Sequence, residues 1–373
     1  MYSRGLLSFW LPVLVLICVV LSTLRMYQVL LLLEKTYKGS RGYSRLVHED
    51  KAFNYTKITY VNNDTPKTLA DDSLLFVATI ANLESYGPGR QFQDFFSVIK
   101  SFDYDENAIS LGFYFGDESE FNTVDKYIHH YFALVKANNQ NAPSVNKVTI
   151  LFAPFLEKDY NSIDRSQRHN DNVQRLRRRN IARTRNFALL HTLAEERYTV
   201  FMDADVVAIK NPDMIHQFIA SKKDIIVPRV IRGSLIDYDR NSWVGERTVP
   251  NEEQLLKMDQ NDWEHWDYVP LDVPGKMIHF QDLIEQQEQT PPDDVSRRPD
   301  YIVKLDSVGG AILFAKSMIY KQGVVFPPNY IIGTTWQRLE GYDGIETEGL
   351  CYIAKSLNYE CWGMPNMVGQ HVD

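Results

Sequence analysis

Among the 373 residues no repeat period and no low-complexity block recurs, which excludes a solenoid or other repeat array. Cysteine is scarce, at three residues. Cys18 lies in an apolar N-terminal segment, while Cys351 and Cys361 are spaced too widely for a C-x-x-C zinc or redox site. A Cys351–Cys361 disulfide stays open to a chain that folds in a secretory lumen. Positive charge is also in deficit: 40 Lys and Arg against 48 Asp and Glu leave a net charge of -8. A nucleic-acid surface needs a basic stripe over much of a domain, so DNA and RNA are not expected partners. What is present, 44% hydrophobic and 24% charged residues, excludes disorder throughout and allows one large domain or two.

The stretch Leu6–Leu24 carries no charge and is bracketed by Arg4 and Arg25, about the length that crosses a hydrocarbon core. Its flank, Leu24-Arg25-Met26-Tyr27, offers no small-x-small cleavage site, so a retained anchor is expected rather than a removed signal peptide. The resulting plan is a cytosolic tail over 1–5, a membrane span over 6–24, a polar stem over 25–71 and a lumenal folded body over 72–373. Arg25, Lys35 and Lys38 outnumber Arg4, and that count opposes this topology. The sequons Asn54-Tyr-Thr56 and Asn63-Asp-Thr65 favour it, because they are usable only on the lumenal side.

From Leu74 the pattern becomes short apolar runs separated by helical stretches. Leu74–Ile80, Ile109–Phe115, Val148–Phe152, Thr199–Met202 and Ile225–Val227 read as strands. Val124, Tyr127, Ile128, Tyr131, Leu134 and Val135 form the apolar stripe of a helix. The alternation implies βαβ units and an α/β fold with a mostly parallel mixed sheet, which binds ligands beyond its carboxyl edge. Asp237–Thr290, with Trp243, Trp263, His265 and Trp266, reads as an insertion whose aromatic faces could stack on a sugar or bury against the sheet. Tyr301–Phe314 follows, then a helix over Glu346–Leu357 and a terminal strand Tyr359–Trp362.

The run Tyr198-Thr-Val-Phe-Met-Asp-Ala-Asp-Val-Val207 carries the chemistry. On a strand Asp203 and Asp205 would share a face and could hold one hard divalent cation, which in turn grips a diphosphate. Asp pairs also cap helices, here one opening near Asn211-Pro212. Four other features could belong to such a site. Asp306-Ser-Val-Gly-Gly310 lets backbone approach a ligand, or is simply a turn before a buried strand. Glu346 and Glu348 sit at the start of a helix, where a carboxylate can face a sugar hydroxyl or merely cap. His371 could complete a metal shell or be a solvated terminal residue. The basic helix with Arg175, Arg177, Arg178, Arg179, Arg183 and Arg185 is mostly a solvated face, yet could aim one or two guanidiniums at phosphate.

Taken in order, Arg183-Thr-Arg-Asn186, Asp203-Ala-Asp205, Leu305-Asp-Ser-Val-Gly-Gly310, Gly323-Val-Val-Phe-Pro327, Ile345-Glu-Thr-Glu-Gly349 and Met364-Pro-Asn366 resemble the fungal Golgi mannan polymerase mannosyltransferases, glycosyltransferase family 62. The resemblance runs from about Leu74 to the end. It implies a GT-A fold, GDP-mannose as donor, Mn2+ as cofactor, and a retaining α-mannosyltransferase that extends the outer chains of N-glycans. It further implies a single-pass type II protein of the Golgi membrane, cis-Golgi in particular, in a hetero-oligomeric complex with paralogous subunits. Carried over by residue, Asp203, Asp205 and His371 would hold the metal, Arg183 and Arg185 would serve the donor, and Thr79 to Ser85, including Asn82, would line the nucleotide. Gly309 and Gly310 match the glycine loop, and Glu346 or Glu348 the acid facing the acceptor. The stretch Pro328–Asp343 departs from the family pattern, which puts acceptor choice in doubt. A haloacid-dehalogenase phosphatase, the other reading of Asp203-Ala-Asp-Val-Val207, would need that motif after the first strand of its domain, whereas three expected strands precede it. A non-catalytic subunit that keeps the fold is the remaining alternative.

Overall fold

The computed structural model describes residues 42–63, 72–138, 144–157, 171–262, 265, 268, 271–329 and 344–373. The expected membrane span, Trp263, Trp266, the side chain of Arg175 and the divergent segment 330–343 lie outside them. Among the described residues no helix is long and apolar enough to cross a membrane.

The strands in chain order are β1 (Tyr43–Asp50), β2 (Tyr55–Asn62), β3 (Leu74–Ile80), β4 (Ile109–Phe115), β5 (Lys147–Phe152), β6 (Tyr198–Met202), β7 (Val206–Ile209), β8 (Ile225–Ile231), β9 (Trp243–Val244), β10 (Ile278–His279), β11 (Val303–Leu305), β12 (Ile312–Lys316) and β13 (Cys361–His371). The main sheet runs β1-β2-β5-β4-β3-β6-β12-β8-β13-β11, with β7 paired to β13, while β9 and β10 form a separate ribbon. Its nucleus β5-β4-β3-β6 is parallel, as is β8 with β13. The sheet is mixed, as expected, but its other ladders are antiparallel and outnumber the parallel ones, so it is not mostly parallel. The reversal comes from β12, which re-enters between β6 and β8 after the insertion and runs against both.

The nucleus strands are apolar on both faces because helices cover both. All seven residues of β4 are buried. Phe76, Phe113, Phe115, Phe132 and Phe218 pack on one side, and Leu75, Tyr114, Phe201, Leu313 and Phe326 on the other. Gly112 sits in the middle of β4 because a Cβ there would lie 2.6 Å from Thr192 Oγ1, at the end of the helix Asp171–Thr192. On the helix Glu118–Asn138 the buried stripe is Phe121, Val124, Ile128 and Phe132. Tyr127 and Tyr131 are half-buried beside it, whereas the expected core residue Leu134 is exposed.

The stem reading fails over residues 43–62. β1 and β2 form a hairpin, and β2 pairs with β5, so the folded body includes them. Ile58 and Tyr60 of β2 point inward, and Tyr60 stacks on Phe132 with ring centroids 5.7 Å apart. The edge strand β1 is largely exposed, which gave this stretch its polar composition. Asn54, of the first sequon, sits exposed at the hairpin turn with φ 51°; Asn63, of the second, is half-buried and hydrogen-bonds Ser44. β13 is far longer than the expected Tyr359–Trp362 and carries the chain back across the sheet to β7. Cys351 and Cys361 are disulfide-bonded, tying the helix Thr347–Ser356 to the start of β13.

Candidate active site

A cleft of about 830 Å³ lies beyond the carboxyl ends of β3, β4 and β6. Asp203, Ala204 and Asp205 line it, but not as residues of one strand: β6 stops at Met202, and the triplet turns into β7. The strand argument for a shared face therefore does not apply. The turn is closed by Val206 N–H donating to Asp203 O at 3.2 Å, and Asp203 N–H donates to Ala311 O at 2.9 Å. Arg90 braces it from outside, donating to Tyr86 O at 2.8 Å, Ala204 O at 3.4 Å and Val206 O at 3.3 Å.

Arg185 is the hub of the cleft floor. Its guanidinium, 4% exposed, donates to Asp203 Oδ1 at 2.7 Å, Glu346 Oε1 at 2.5 Å and Gly310 O at 2.9 Å. Phe201 and Phe326 pack against it, with centroids 5.8 and 5.5 Å from Cζ. Burial lowers the Arg185 pKa, but Glu346 and Asp203 override this and raise it. Asp203 keeps 42% of its side chain open to the cleft while protein walls it in. That desolvation, opposed by Arg185 and reinforced by Asp205, pushes its carboxyl up to about 6. Gly310 is required here, since a Cβ would come within 2.6 Å of Arg185 Nη1. At Gly309 a Cβ would strike Asp239 Oδ2 at 2.2 Å.

Glu346 and Glu348 separate into two roles. Glu346 lines the cleft and precedes the helix Thr347–Ser356 with φ 64° and ψ -128°, a strained backbone for a non-glycine residue. Glu348 is buried behind it, between Arg178 Nη1 at 3.0 Å and Arg247 Nη1 at 3.2 Å, and does not line the cleft. Of the two acids only Glu346 lines the cleft.

His371, the last residue of β13, lines the cleft beside Asp205. Its Nε2 is 3.0 Å from Asp205 Oδ2, and its Nδ1 is 2.7 Å from Val372 O. A carbonyl only accepts, so Nδ1 carries a hydrogen, and Nε2, now donating to Asp205, is the nitrogen that would give up its proton to bind a metal. Burial lowers the imidazole pKa, but the Asp205 hydrogen bond and charge override it and raise the pKa. Among the described residues no three His, Cys, Asp or Glu side chains stand as a preformed metal cage. The donor set nevertheless fits a divalent cation: Asp205 and His371 could exchange their mutual bond for a shared ion, with Asp203 held alongside by Arg185.

Thr79 and Asn82 line the cleft. Asn82 Oδ1 also accepts from Glu84 N–H at 3.0 Å, so it caps the short helix Leu83–Tyr86. Arg183 does not line the cleft; its charge lies near Glu157 and Tyr114, while Arg177 and Arg178 of the same helix do face the cleft. Trp243 is buried and outside the cleft, so the packing role of that tryptophan holds and a stacking role does not. His265 is exposed and pairs with Asp262. The insertion instead contributes Asp237, Tyr238, Asp239, Asn241 and Gln281. Asp239 is a site residue that no motif marked; it accepts from Ala311 N–H at 2.9 Å and holds the glycine loop against Arg185.

Fold and site together define an α/β protein with carboxylates, an imidazole and a guanidinium gathered at the carboxyl edge of its sheet. The chain belongs to the Anp1 family, whose model matches residues 52–330. It is 26% identical over 282 residues to the mannan polymerase complex subunit mnn9 of Schizosaccharomyces pombe, covering 74% of this chain and 75% of that one. It is 26% identical over 299 residues to the mannan polymerase complex subunit MNN9 of Candida albicans, covering 74% and 71%. With the mannan polymerase II complex ANP1 subunit of Saccharomyces cerevisiae it shares 26% over 318 residues, covering 81% and 55%. Among solved structures, the mannosyltransferase PcManGT of Pyrobaculum calidifontis superposes at a TM-score of 0.38 and 11% identity over 82% of this chain and 60% of that one, too loosely to argue from.

Proposed function

We propose that this chain is a Mn2+-dependent, retaining α-mannosyltransferase that moves mannose from GDP-mannose to the α-1,6-mannan backbone or related chains of protein N-glycans. The observation that carries it is the meeting of Asp203, Asp205 and His371 in one polar cleft, in a chain whose relatives are named mannan polymerase subunits. Asp205 and His371 would hold the ion directly and Asp203 directly or through water. Bound there, the ion would neutralise charge on the departing diphosphate. Arg185 fixes Asp203 and Glu346 in one geometry, so neither carboxylate must be reordered when a ligand arrives. Glu346 and Asp239 are acceptors for sugar hydroxyls on the insertion side of the cleft, which orients the incoming hydroxyl. We name no protein nucleophile, because a front-face reaction lets the leaving diphosphate take the acceptor proton.

The same reading makes the protein a single-pass type II resident of the Golgi membrane, assembled with paralogous subunits. The apolar stretch Leu6–Leu24, the exposed sequon at Asn54 and the Cys351–Cys361 bond support a lumenal body. Protease added to sealed microsomes should leave residues 72–373 intact; their digestion refutes the topology. For the activity, detergent-solubilised full chain is incubated with GDP-mannose, Mn2+ and α-mannose oligomers, alone and with a paralogous subunit, and the linkage of the product is analysed. Transfer no greater than that of Asp205→Ala in both arms would favour the scaffolding alternative.

A further inference from the structure

The hairpin β1–β2 carries a site that the transfer chemistry does not use. Its turn, between the end of β1 at Asp50 and the start of β2 at Tyr55, holds the sequon Asn54-Tyr55-Thr56. Asn54 is exposed with φ 51°, a conformation that asparagine tolerates in turns. The turn keeps its shape without that side chain, because Asp50 Oδ1 accepts from Ala52 N–H and Phe53 N–H at 2.9 Å each. The second sequon is placed differently. Asn63 follows β2 and is half-buried; its Nδ2 donates to Ser44 Oγ at 3.0 Å, its Oδ1 accepts from Ser44 Oγ at 3.1 Å, and its N–H donates to Gly42 O at 2.9 Å. A sugar on that nitrogen would stand where the first residues of β1 close the hairpin.

We propose that Asn54 carries an N-linked glycan while Asn63 carries none, and that the glycan shields the open edge of the sheet. This rests on the lumenal topology proposed above. In the transfer the Asn54 amide nitrogen bonds to the anomeric carbon of an oligosaccharide, the bond from that carbon to the diphosphate of a lipid carrier breaks, and the amide loses one proton as the lipid diphosphate departs. Thr56 supplies the hydroxyl that the sequon requires. Transfer to a nascent chain precedes folding, so the fold decides which glycan it can keep. A glycan at the tip leaves the ladder between β1 and β2 intact, whereas one on Asn63 disturbs the Ser44 bonds. The edge itself calls for cover. β1 ends the strand order of the sheet, and its exposed Leu46 and Val47 point to opposite faces of it. Phe53, next to Asn54, is 69% exposed and offers a ring face to the first sugars. An open apolar edge is a template for pairing with another chain. A plain turn asparagine accounts for the φ at 54, but not for a bare aromatic ring beside it at such an edge.

Full chain from a eukaryotic secretory host is treated with peptide N-glycosidase, which releases the glycan and leaves aspartate at the acceptor position. The wild type should lose the mass of one glycan, with the new aspartate at position 54 and not at 63. Asn54→Gln should remove that shift, and so should Thr56→Ala, which leaves the turn residue in place; Asn63→Gln should keep it. A shift lost only in Asn63→Gln, or glycans on both asparagines, overturns the assignment. An unshifted wild type whose residues 72–373 stay protected in sealed microsomes overturns it while leaving the topology intact, and an unshifted, digested chain overturns both. For the shielding, sedimentation velocity in detergent should show Asn54→Gln self-associating at about tenfold lower concentration than the wild type, with Phe53→Ser added to it reversing the change. Equal association of the wild type and Asn54→Gln overturns the shielding role.

Discussion

Arg185 should be the most expensive side chain in the cleft to remove, and the cost should be shared with Glu346. Both are buried, with side chains 4% and 9% exposed, and their atoms stand 2.5 Å apart. Deleting one partner of a buried ion pair costs about 3–5 kcal/mol, because the survivor stays desolvated. Asp203 adds little to that figure, since its cleft-facing exposure lets water screen it. The Gly310 carbonyl loses one neutral acceptor bond, worth about 1 kcal/mol. Arg185→Met should therefore destabilise by about 5 kcal/mol and Glu346→Gln by about 2 kcal/mol, which keeps a polar group but loses the charge. The double variant should cost less than the sum by about 1–3 kcal/mol, because neither charge is then left alone. Urea unfolding of the four proteins in a metal-free buffer, at constant m-value, measures the cycle. Costs that add to within about 0.5 kcal/mol would show that Arg185 and Glu346 do not depend on each other, and the hub argument would fail.

The strand nucleus was legible because its chemistry is local. β3 and β4 have the boundaries that their apolar runs imply, and β5 and β6 differ from the expectation by one residue. Gly363, Pro365 and Gly369 are residue types that usually interrupt a strand, yet β13 runs through all three. In place, Gly363 and Gly369 make room for Phe280 and Ile312, where a Cβ would come within 2.5 and 2.4 Å. The hairpin β1–β2 was missed because an edge strand shows polar residues on most positions. Of the motif residues, Asp203, Asp205, Arg185, Glu346 and His371 line the cleft while Arg183 and Glu348 do not. Arg183 and Arg185 are two positions apart, and on a helix that is about 200° of rotation, so only one of them can face the cleft. Arg90, Glu157 and Asp239 belong to no pattern in the sequence. The sheet order brings them in: β13 crosses back to β7, the insertion returns through β12, and β5 flanks β4. No periodicity encodes such long-range juxtaposition.

Glu346→Gly should be more stable than Glu346→Ala by about 1 kcal/mol, because both lose the carboxylate but only glycine relaxes the backbone at φ 64°; equal stability in thermal melts would deny the strain. Asp205→Ala should keep the fold and abolish transfer from GDP-mannose, and near wild-type turnover would remove the metal from the mechanism. Glu196 is buried and held at 2.6 Å by Lys147; burial raises its pKa, the lysine's charge and hydrogen bond override that, and the net shift is downward. Its carboxylate therefore stabilises the fold above the unfolded value of about 4.3 and loses that contribution as pH falls through the lower folded value, so the stability gap to Glu196→Gln should be about 3 kcal/mol at pH 7 and narrow below about pH 4. A gap independent of pH would refute it. The C-terminus gives the sharpest test of the metal reading. Residues His371, Val372 and Asp373 are held by few backbone contacts and by the imidazole: His371 pairs in register with Val206, Val372 N–H donates to Asp205 O at 2.9 Å, Val372 is close enough to Gly87 that a Cβ there would clash at 2.8 Å, and the His371 ring bonds Asp205 and packs on Tyr238 with centroids 4.3 Å apart. A chain ending at Gln370 should thus lose about 2–4 kcal/mol of stability, one backbone hydrogen bond, a small apolar contact and the buried imidazole with its Asp205 bond, and remain folded. His371→Ala keeps those backbone contacts and removes only the imidazole. If the imidazole is a ligand, both variants should weaken Mn2+ binding in the metal titration by about tenfold or more. If instead the terminus merely shapes the Asp203–Asp205 turn, the truncation should weaken binding and His371→Ala should leave it unchanged, and that second pattern would take His371 out of the metal's shell.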